Sequence, residues 1–162
     1  MQKIPYGIKK IASMCILKHQ HQFLLLKRAN EPNQGKYVPV GGKLEPHENP
    51  YQAVLRETLE ETGIKLETAK FCGLLTETSP VKYNWICYVY LAEIPYQPAP
   101  YCDEGTLEWI AIDDLLKVPT PATDWWIYKY VLANKPFVFN AEFDADLNML
   151  WMMDDLEGKM VT

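Results

Sequence analysis

A glycine pair is followed by a group of acidic side chains in the stretch GGKLEPHENPYQAVLRETLEETGI, residues 41–64. Glu57 precedes Glu60 and Glu61 by three and four positions, so on a helix the three carboxylates share one surface and repel one another. Carboxylate oxygens beside a glycine turn, whose carbonyls can also coordinate, suit a hard cation such as Mg²⁺ or Mn²⁺. The spacing therefore predicts a divalent metal site in which the cation offsets the repulsion.

The same acids also fit an ordinary solvated helix face, on which Arg56 and Glu60 form an i,i+4 pair. Against this alternative, Glu57 and Glu61 are like charges at i,i+4, and one arginine offsets three acids only in part. The formal net charge of −5 disfavours a grip on the phosphate backbone of a nucleic-acid polymer. An anionic substrate would need a cation between itself and this protein, which again favours the metal site.

The helix that carries these acids has both of its ends marked in the sequence. Asn49 is a good N-cap, Pro50 suits the first helical position, and Gln52 completes a capping box. Gly63 supplies a left-handed stop. The sequence therefore predicts a helix over Pro50–Thr62.

A rotation of 100° per residue divides this helix into two faces. The face predicted to pack against the core contains Tyr51, Val54, Leu55, Thr58, Leu59 and Thr62. The face predicted to point outward contains Ala53, Arg56, Glu57, Glu60 and Glu61.

Strand-like segments lie on both sides of this helix. They cover residues 8–17, 22–27, 67–76, 84–93, 107–112, 137–143 and 147–153, with a short strand from residue 37 that Pro39 interrupts. A helical turn is predicted at residues 113–117, and a second helix from an N-cap at Asp124 to near Asn134. Residues 94–105 are expected to form a loop and the tail after residue 153 to fray. The pattern predicts one mixed α/β domain over residues 1–162.

The remaining composition bounds the class of protein. No apolar run approaches the roughly 20 residues of a membrane span, and the first ten residues lack the features of a secretory signal. The four cysteines are scattered without metal-ligand spacing, so we expect free thiols, with Cys15 and Cys87 in the core. The sequence thus favours a cytoplasmic protein that contacts no membrane.

The acidic stretch resembles the Nudix box over 23 contiguous residues. The matching order is Gly42, five residues, Glu48, seven residues, and then RETLEETGI from Arg56 to Ile64. Two positions depart from the usual pattern. Thr58 replaces an aliphatic residue, which should loosen core packing slightly, and His47 replaces a glycine, either at the site entrance or as an ordinary surface residue.

This resemblance implies a Nudix fold, an α/β/α sandwich with a mixed central sheet, and Mg²⁺-dependent hydrolysis of a nucleoside diphosphate linked to another moiety. By position it implies metal ligation by Glu57, Glu60 and Glu61, with a backbone carbonyl from Gly42 or Gly41. It also implies that Arg56 holds a carboxylate in place and that outer acids are contributed by Glu45 and Glu48.

A further acid in this family often comes from a loop after the central strands. The stretch YCDEGTLEW offers Asp103, Glu104 and Glu108. The resemblance favours Glu104 as a metal ligand or general base, with Glu108 as the second choice. An acidic surface loop is the alternative.

The order of segments over about residues 8–153 is similar to the MutT branch, which cleans oxidised purine nucleoside triphosphates. The resemblance implies that Asp124 binds the purine edge beside Trp125 and Trp126, since an indole stacks on a base while a carboxylic acid bonds to its edge. Alternatively, Asp124 caps the helix and a tryptophan packs in the core. Weaker pocket candidates are Phe23, Phe137 and Asn140.

The expected reaction is therefore cleavage of a nucleoside triphosphate, such as 8-oxo-dGTP, to a monophosphate and pyrophosphate. The sequence leaves the oligomeric state open, with a homodimer as one option. One alternative is an ADP-ribose or other nucleoside diphosphate pyrophosphatase, because Pro80 lies 16 residues after Ile64, where that branch often carries proline. The alternative from another class is a non-catalytic module that senses a nucleotide. The complete set of acids favours the enzyme, although a fold alone does not.

Overall fold

The computed structural model of the protein describes residues 8–162, and this part of the chain forms one mixed sheet of 11 strands with two α-helices. The strands are β1 Lys10–His19, β2 Gln22–Arg28, β3 Tyr37–Val38, β4 Val40–Lys43, β5 Lys70–Thr78, β6 Trp85–Glu93, β7 Tyr101–Cys102, β8 Gly105–Ala111, β9 Phe137–Phe143, β10 Met149–Asp154 and β11 Lys159–Met160. The helices are α1 Pro50–Thr62 and α2 Ala122–Leu132, with a 3₁₀ segment at Ile112–Lys117.

The strand order is β11-β10-β9-β5-β6-β1-β2-β8-β7, while β3 pairs with β2 and β4 with β1. The pairs β1–β6 and β5–β9 are parallel. The hairpins β1–β2 and β5–β6 are antiparallel. This arrangement confirms the predicted α/β class with a mixed sheet.

Both faces of the sheet are covered. Because successive side chains of a strand point to opposite faces, the buried residues of a strand are divided between two core clusters. Ile16 belongs to one buried cluster together with Tyr128 of α2. Its neighbours Cys15 and Leu17 belong to the other cluster, together with Val54 of α1. The two helices therefore pack on opposite faces of the sheet, as the expected sandwich requires.

Both ends of α1 confirm the caps predicted from the sequence. The Asn49 side chain accepts a hydrogen bond from the Gln52 amide at 2.8 Å, and the Gln52 side chain accepts one from the Asn49 amide at 2.9 Å. Gly63 has a φ of 73°, and its amide donates to the Leu59 carbonyl at 2.8 Å. Glycine adopts this left-handed conformation without a Cβ penalty, so the helix stops here.

The predicted faces of α1 are confirmed in part, since Val54, Thr58 and Thr62 are buried as expected, but four positions differ. Tyr51 and Leu59 are exposed, whereas Ala53 and Glu61 are buried. The helix lies against β4, and a Cβ added to Gly42 of that strand would stand 2.5 Å from the Glu57 carboxyl. Because glycine leaves this space open, the acidic side of the helix approaches the sheet, which a helical wheel alone does not reveal.

Three further predictions are corrected by the tertiary structure. Residues 94–105 include β7, which pairs with β8. The tail contains β11, which pairs with β10 and so does not simply fray. Asp124 is not the N-cap of α2, because the helix already begins at Ala122 after Pro121, so Asp124 lies within its first turn and the N-terminus has no side-chain cap.

The thiol prediction is confirmed, since all four cysteines are free and both Cys15 and Cys87 are buried. Among the residues that the structure describes, none of the helices has the length and apolar content needed to cross a bilayer.

Thr58→Val is expected to stabilise the protein by about 1 kcal/mol. The Thr58 side chain is fully buried, and within residues 8–162 its hydroxyl has no hydrogen-bond partner other than the weakly polar thiol of Cys15. Valine has the same shape without the hydroxyl, so the substitution removes a desolvation cost. Urea unfolding should show the gain, and Thr68→Val at an exposed loop position should show none. A loss of stability in Thr58→Val would contradict this account.

Candidate active site

Three carboxylates from two separate parts of the chain meet beside the glycine pair. Glu57 and Glu61 come from α1, and Glu104 comes from the turn between β7 and β8. One carboxyl oxygen of Glu61 accepts a hydrogen bond from the Gly41 amide at 3.3 Å. The side chain of Glu104 lies within hydrogen-bonding reach of Glu61. Residues distant in the chain thus form one acidic cluster, defined here as Glu57, Glu61 and Glu104.

The carboxylates of the acidic cluster lie close together and are partly buried. Burial above all, followed by the nearby charge of Glu104, raises the pKa of Glu61 to about 8, while the Gly41 amide opposes the shift. Burial likewise raises the pKa of Glu57, whereas its hydrogen bond from Arg56 acts in the opposite direction. A site that raises carboxylate pKa values through burial and mutual repulsion gains stability from a bound cation.

Arg56 ties the cluster to the loop that precedes α1. Its guanidinium donates two hydrogen bonds of 2.7 Å to the two carboxyl oxygens of Glu48 and one of 3.1 Å to the Lys43 carbonyl. The same group donates to Glu57 at 2.9 Å and to Glu60 at 3.2 Å. Glu48 above all keeps the pKa of Arg56 above its ordinary value. This forked arrangement fixes the orientation of the acids.

Other acids of the predicted site lie further out. The Glu60 side chain is 57% exposed, and Glu45 approaches Arg56 only at 3.8 Å. The Tyr37 hydroxyl donates to Glu108 at 2.6 Å, while Asp103 bonds to exposed Tyr101 instead. Of the three loop acids, the one that meets Glu61 is therefore Glu104.

The donor chemistry of the cluster fits a hard divalent cation, although its present side-chain conformations do not form a ready cage. Within residues 8–162, no three His, Cys, Asp or Glu side chains already have metal-ligand spacing. Arg56 currently engages one oxygen each of Glu57 and Glu60. The close approach of Gly42 to the Glu57 carboxyl leaves a backbone segment beside an all-oxygen, negatively charged donor set.

A second buried acidic group lies under α2. Asp124 is 4% exposed, its carboxylate accepts from the Thr123 hydroxyl at 3.2 Å, and burial raises its pKa to about 7. Burial, followed by the charge of Asp124, also raises the pKa of Glu77 to about 7. The Tyr128 side chain has no exposed surface, and its hydroxyl lacks a partner in the described part of the chain. We call Asp124, Glu77 and Tyr128 the α2 polar pocket.

Sequence reasoning missed Glu77 and Tyr128. Glu77 follows core residue Leu75 by two positions on β5, so it points to the face that α2 covers. Tyr128 follows Asp124 by four positions on α2, which makes the two side chains neighbours. A charged residue in phase with the core of a strand, and a helical i,i+4 pair, were the available signals.

The remaining pocket candidates are dispersed. Phe23 and Phe137 lie in the core with at most 1% exposure. Asn140 donates to Asp155 at 2.6 Å. Trp125 and Trp126 are half-buried on α2. His47 is an exposed residue of the loop before α1, and Pro80 lies in the connection between β5 and β6.

A family model and several curated proteins match this chain. The family model of the NUDIX domain matches residues 8–134. The curated protein "Uncharacterized Nudix hydrolase YvcI" of Bacillus subtilis is 26% identical over 140 residues, which cover 80% of this chain and 87% of that protein. Human diphosphoinositol polyphosphate phosphohydrolase 3-alpha is 25% identical over 118 residues, covering 70% of this chain and 71% of the relative.

Solved structures also resemble the chain. A MutT protein from Bacillus halodurans superposes with a TM-score of 0.78 at 28% identity, covering 91% of this chain and 98% of that one. The NUDIX domain of Shewanella oneidensis NrtR, solved with ADP ribose, has a TM-score of 0.68 at 18% identity, covering 79% and 89%. At that identity the second likeness concerns the fold alone.

Proposed function

The chain belongs to the NUDIX family and is a pyrophosphohydrolase, and from that premise we propose that it cleaves a purine nucleoside triphosphate to the monophosphate and pyrophosphate. The observation that carries the proposal is the acidic cluster, in which Glu57 and Glu61 of α1 meet Glu104 of the β7–β8 turn. Its all-oxygen donors suit Mg²⁺ or Mn²⁺ between the protein and a polyphosphate.

Each residue of the cluster has a distinct role in this proposal. Glu57 and Glu61 hold the cation, with Glu60 able to join them once it leaves Arg56. A bound divalent cation supplies Lewis acidity and neutralises charge on the phosphates. Glu104 is the most exposed of the three cluster acids, with 53% of its side chain accessible, so it is the acid best placed to take a proton from an attacking water. Arg56 is a positioning residue, because it acts through Glu57.

The α2 polar pocket supports recognition of a base. A neutral carboxylic acid both donates and accepts hydrogen bonds, and the raised pKa values of Asp124 and Glu77 near 7, caused mainly by burial, keep protons on this pair in the neutral range. A purine edge presents alternating donors and acceptors, and Trp125, the next residue on α2, offers a ring for stacking, whereas Trp126 lies on the outer side of the helix. The likeness to a MutT protein favours the same class of substrate.

A panel of substrates tests the proposal directly. Protein with Mg²⁺ should release pyrophosphate from 8-oxo-dGTP, dGTP or ATP, with product identity checked by mass spectrometry. ADP-ribose and a diphosphoinositol polyphosphate belong in the panel, the latter because a human relative at 25% identity is named for that substrate. Exclusive turnover of either compound would overturn the triphosphate assignment and leave the acidic cluster in place. Turnover unchanged by EDTA would overturn the metal assignment.

Asp124→Asn is expected to lower kcat/KM for purine triphosphates by about 10- to 100-fold, mainly through KM, because a hydrogen bond to the substrate is lost. The variant also has a signature in stability. The pKa of Asp124 is raised by burial to about 7 in the folded protein, above its value of about 3.9 in the unfolded chain. Wild-type stability is therefore lost as pH rises from about 4 to about 7, whereas the asparagine does not titrate.

Urea unfolding between pH 4 and pH 8 measures this signature. Relative to wild type, Asp124→Asn should gain more than about 1 kcal/mol on going from pH 4 to pH 8, whereas Asp146→Asn at an exposed turn should show no such trend. Equal losses of kcat/KM for purine and pyrimidine triphosphates would contradict base recognition.

A further inference from the structure

A cavity of about 440 Å³ opens between the outer side of α2 and strand β11. Its lining on α2 is Trp126, Lys129, Tyr130 and Ala133, which recur with the i, i+3, i+4, i+7 spacing of one helix face. Lys135 and Lys159 line it from the segment after α2 and from β11. We call this cavity the lysine groove.

The lysine groove is distinct from the acidic cluster. Helix α2 packs with one core cluster and α1 with the other, so the two helices lie on opposite faces of the sheet. The groove is also distinct from the α2 polar pocket, because Asp124 and Tyr128 are buried on the inner side of the same helix.

Aromatic rings lie beneath the positive charges of the groove. The Lys129 ammonium lies 5.1 Å from the centre of the Trp126 ring, and the Lys135 ammonium lies 4.7 Å from that of Tyr130. An ammonium group over a ring face is attracted by the ring's negative potential. The rings therefore hold two cations at fixed places beside the cavity.

One carboxylate joins the other side of the groove. Glu157 forms ion pairs with Lys135 and, at 2.6 Å, with Lys159. Three lysines face Glu157 and the charge of Asp154, which also acts on Lys135, so the groove keeps a net positive charge in a chain whose formal net charge is −5. The anion that the lysines already hold is a carboxylate on a flexible side chain, which an incoming anion can displace.

We propose that the lysine groove binds a small anion carrying two or more phosphoryl groups, which replaces Glu157 between Lys135 and Lys159 and reaches Lys129. Ammonium groups act as compact point charges that bind phosphate oxygens, and their field adds over a concave surface. The volume suits a small molecule, and the acidic balance of the whole chain disfavours a nucleic-acid polymer.

Isothermal titration with inorganic tripolyphosphate in EDTA tests the groove apart from catalysis. Without a divalent cation the acidic cluster repels this probe, so saturable binding with one site per chain reports the groove. Lys129→Gln and Lys159→Gln should each weaken binding by about fivefold, since each removes one charge contact in solvent. Glu157→Gln should tighten binding, because the internal competitor is gone. Lys65→Gln, an exposed lysine after α1, is the matched control and should bind as wild type does.

The four variants should hydrolyse nucleotide at the wild-type rate when no tripolyphosphate is present, because none of these residues belongs to the acidic cluster or the α2 polar pocket. Absence of saturable binding would overturn the proposal, and so would wild-type affinity in both Lys129→Gln and Lys159→Gln. Neither result bears on the acidic cluster, which is tested with Mg²⁺ present.

Discussion

Glu61→Gln should lower kcat for pyrophosphate release at least about a hundredfold, the range expected when a charged group that supports the transition state is removed. Glu61 is only 7% exposed, accepts from the Gly41 amide at 3.3 Å, and contacts Glu104. Glutamine keeps the shape but not the negative charge that a divalent cation needs. The loss should therefore appear in kcat and in metal affinity together.

Thermal unfolding with and without Mg²⁺ separates this result from misfolding. A cation that binds only the folded state raises Tm by mass action, so wild type should gain stability with Mg²⁺ and lose the gain with EDTA. In EDTA above pH 8, where the wild-type Glu61 carboxyl is charged, Glu61→Gln should keep or exceed the wild-type Tm because the repulsion with Glu104 is removed, and it should show little response to Mg²⁺.

Two companion variants sharpen the assignment. Glu67→Gln, at an exposed position before β5, should leave both the rate and the response to Mg²⁺ unchanged. Glu60→Gln should lower the rate by orders of magnitude if Glu60 turns from Arg56 to the cation. Full turnover in Glu61→Gln would mean that this buried acid is not a metal ligand.

The parts of the molecule that the sequence predicted best are those fixed by neighbouring residues. Helix α1 begins and ends where its capping box and left-handed glycine require, because Asn49, Gln52 and Gly63 act within a few positions of one another. Strand β9 coincides with the predicted residues 137–143 for a similar reason, since its alternating burial is visible in the sequence.

The orientation of α1 depends on strand β4, which a helical wheel does not take into account. A helical wheel weighs only the hydrophobicity of the helix, and it placed Leu59 inside and Glu61 outside. The structure reverses both, because β4 presents Gly42 to the helix and leaves space for carboxylates. A glycine pair beside an acidic helix is the one local signal that this face approaches backbone.

The sequence predicted Asp124 as a site residue but did not predict its neighbour Glu77 or the lysine groove. Glu77 lies on β5 and Asp124 on α2, which are far apart in sequence. The two side chains become neighbours because α2 packs on the sheet in which β5 pairs in parallel with β9. Lys129 and Lys159 line the same cavity because β11 pairs with β10 at the edge of the sheet. Contacts of this kind follow from topology, which residue spacing does not encode.

Arg56→Lys is expected to lower the free energy of unfolding by about 3 kcal/mol and kcat/KM by about 10- to 100-fold. The Arg56 guanidinium donates hydrogen bonds of 2.7 Å to both carboxyl oxygens of Glu48 and one of 2.9 Å to Glu57. Lysine keeps the charge but lacks the planar fork, so it pairs with one acid at a time. The other acid, 12% or 15% exposed, is then left almost buried without its partner.

Urea unfolding measures the loss, and a double-mutant cycle with Glu48→Gln assigns it. If the fork is responsible, the double variant should lose less than the sum of the two single losses, by about 1 to 3 kcal/mol. The matched control is Arg28→Lys, at the only other arginine of the sequence, which makes a single 2.7 Å bond to the Pro32 carbonyl and lies 3.9 Å from Glu104. We expect that change to cost less than about 1 kcal/mol. Equal losses at the two arginines, or strict additivity with Glu48→Gln, would mean that Arg56 contributes charge alone and does not orient the acids of α1.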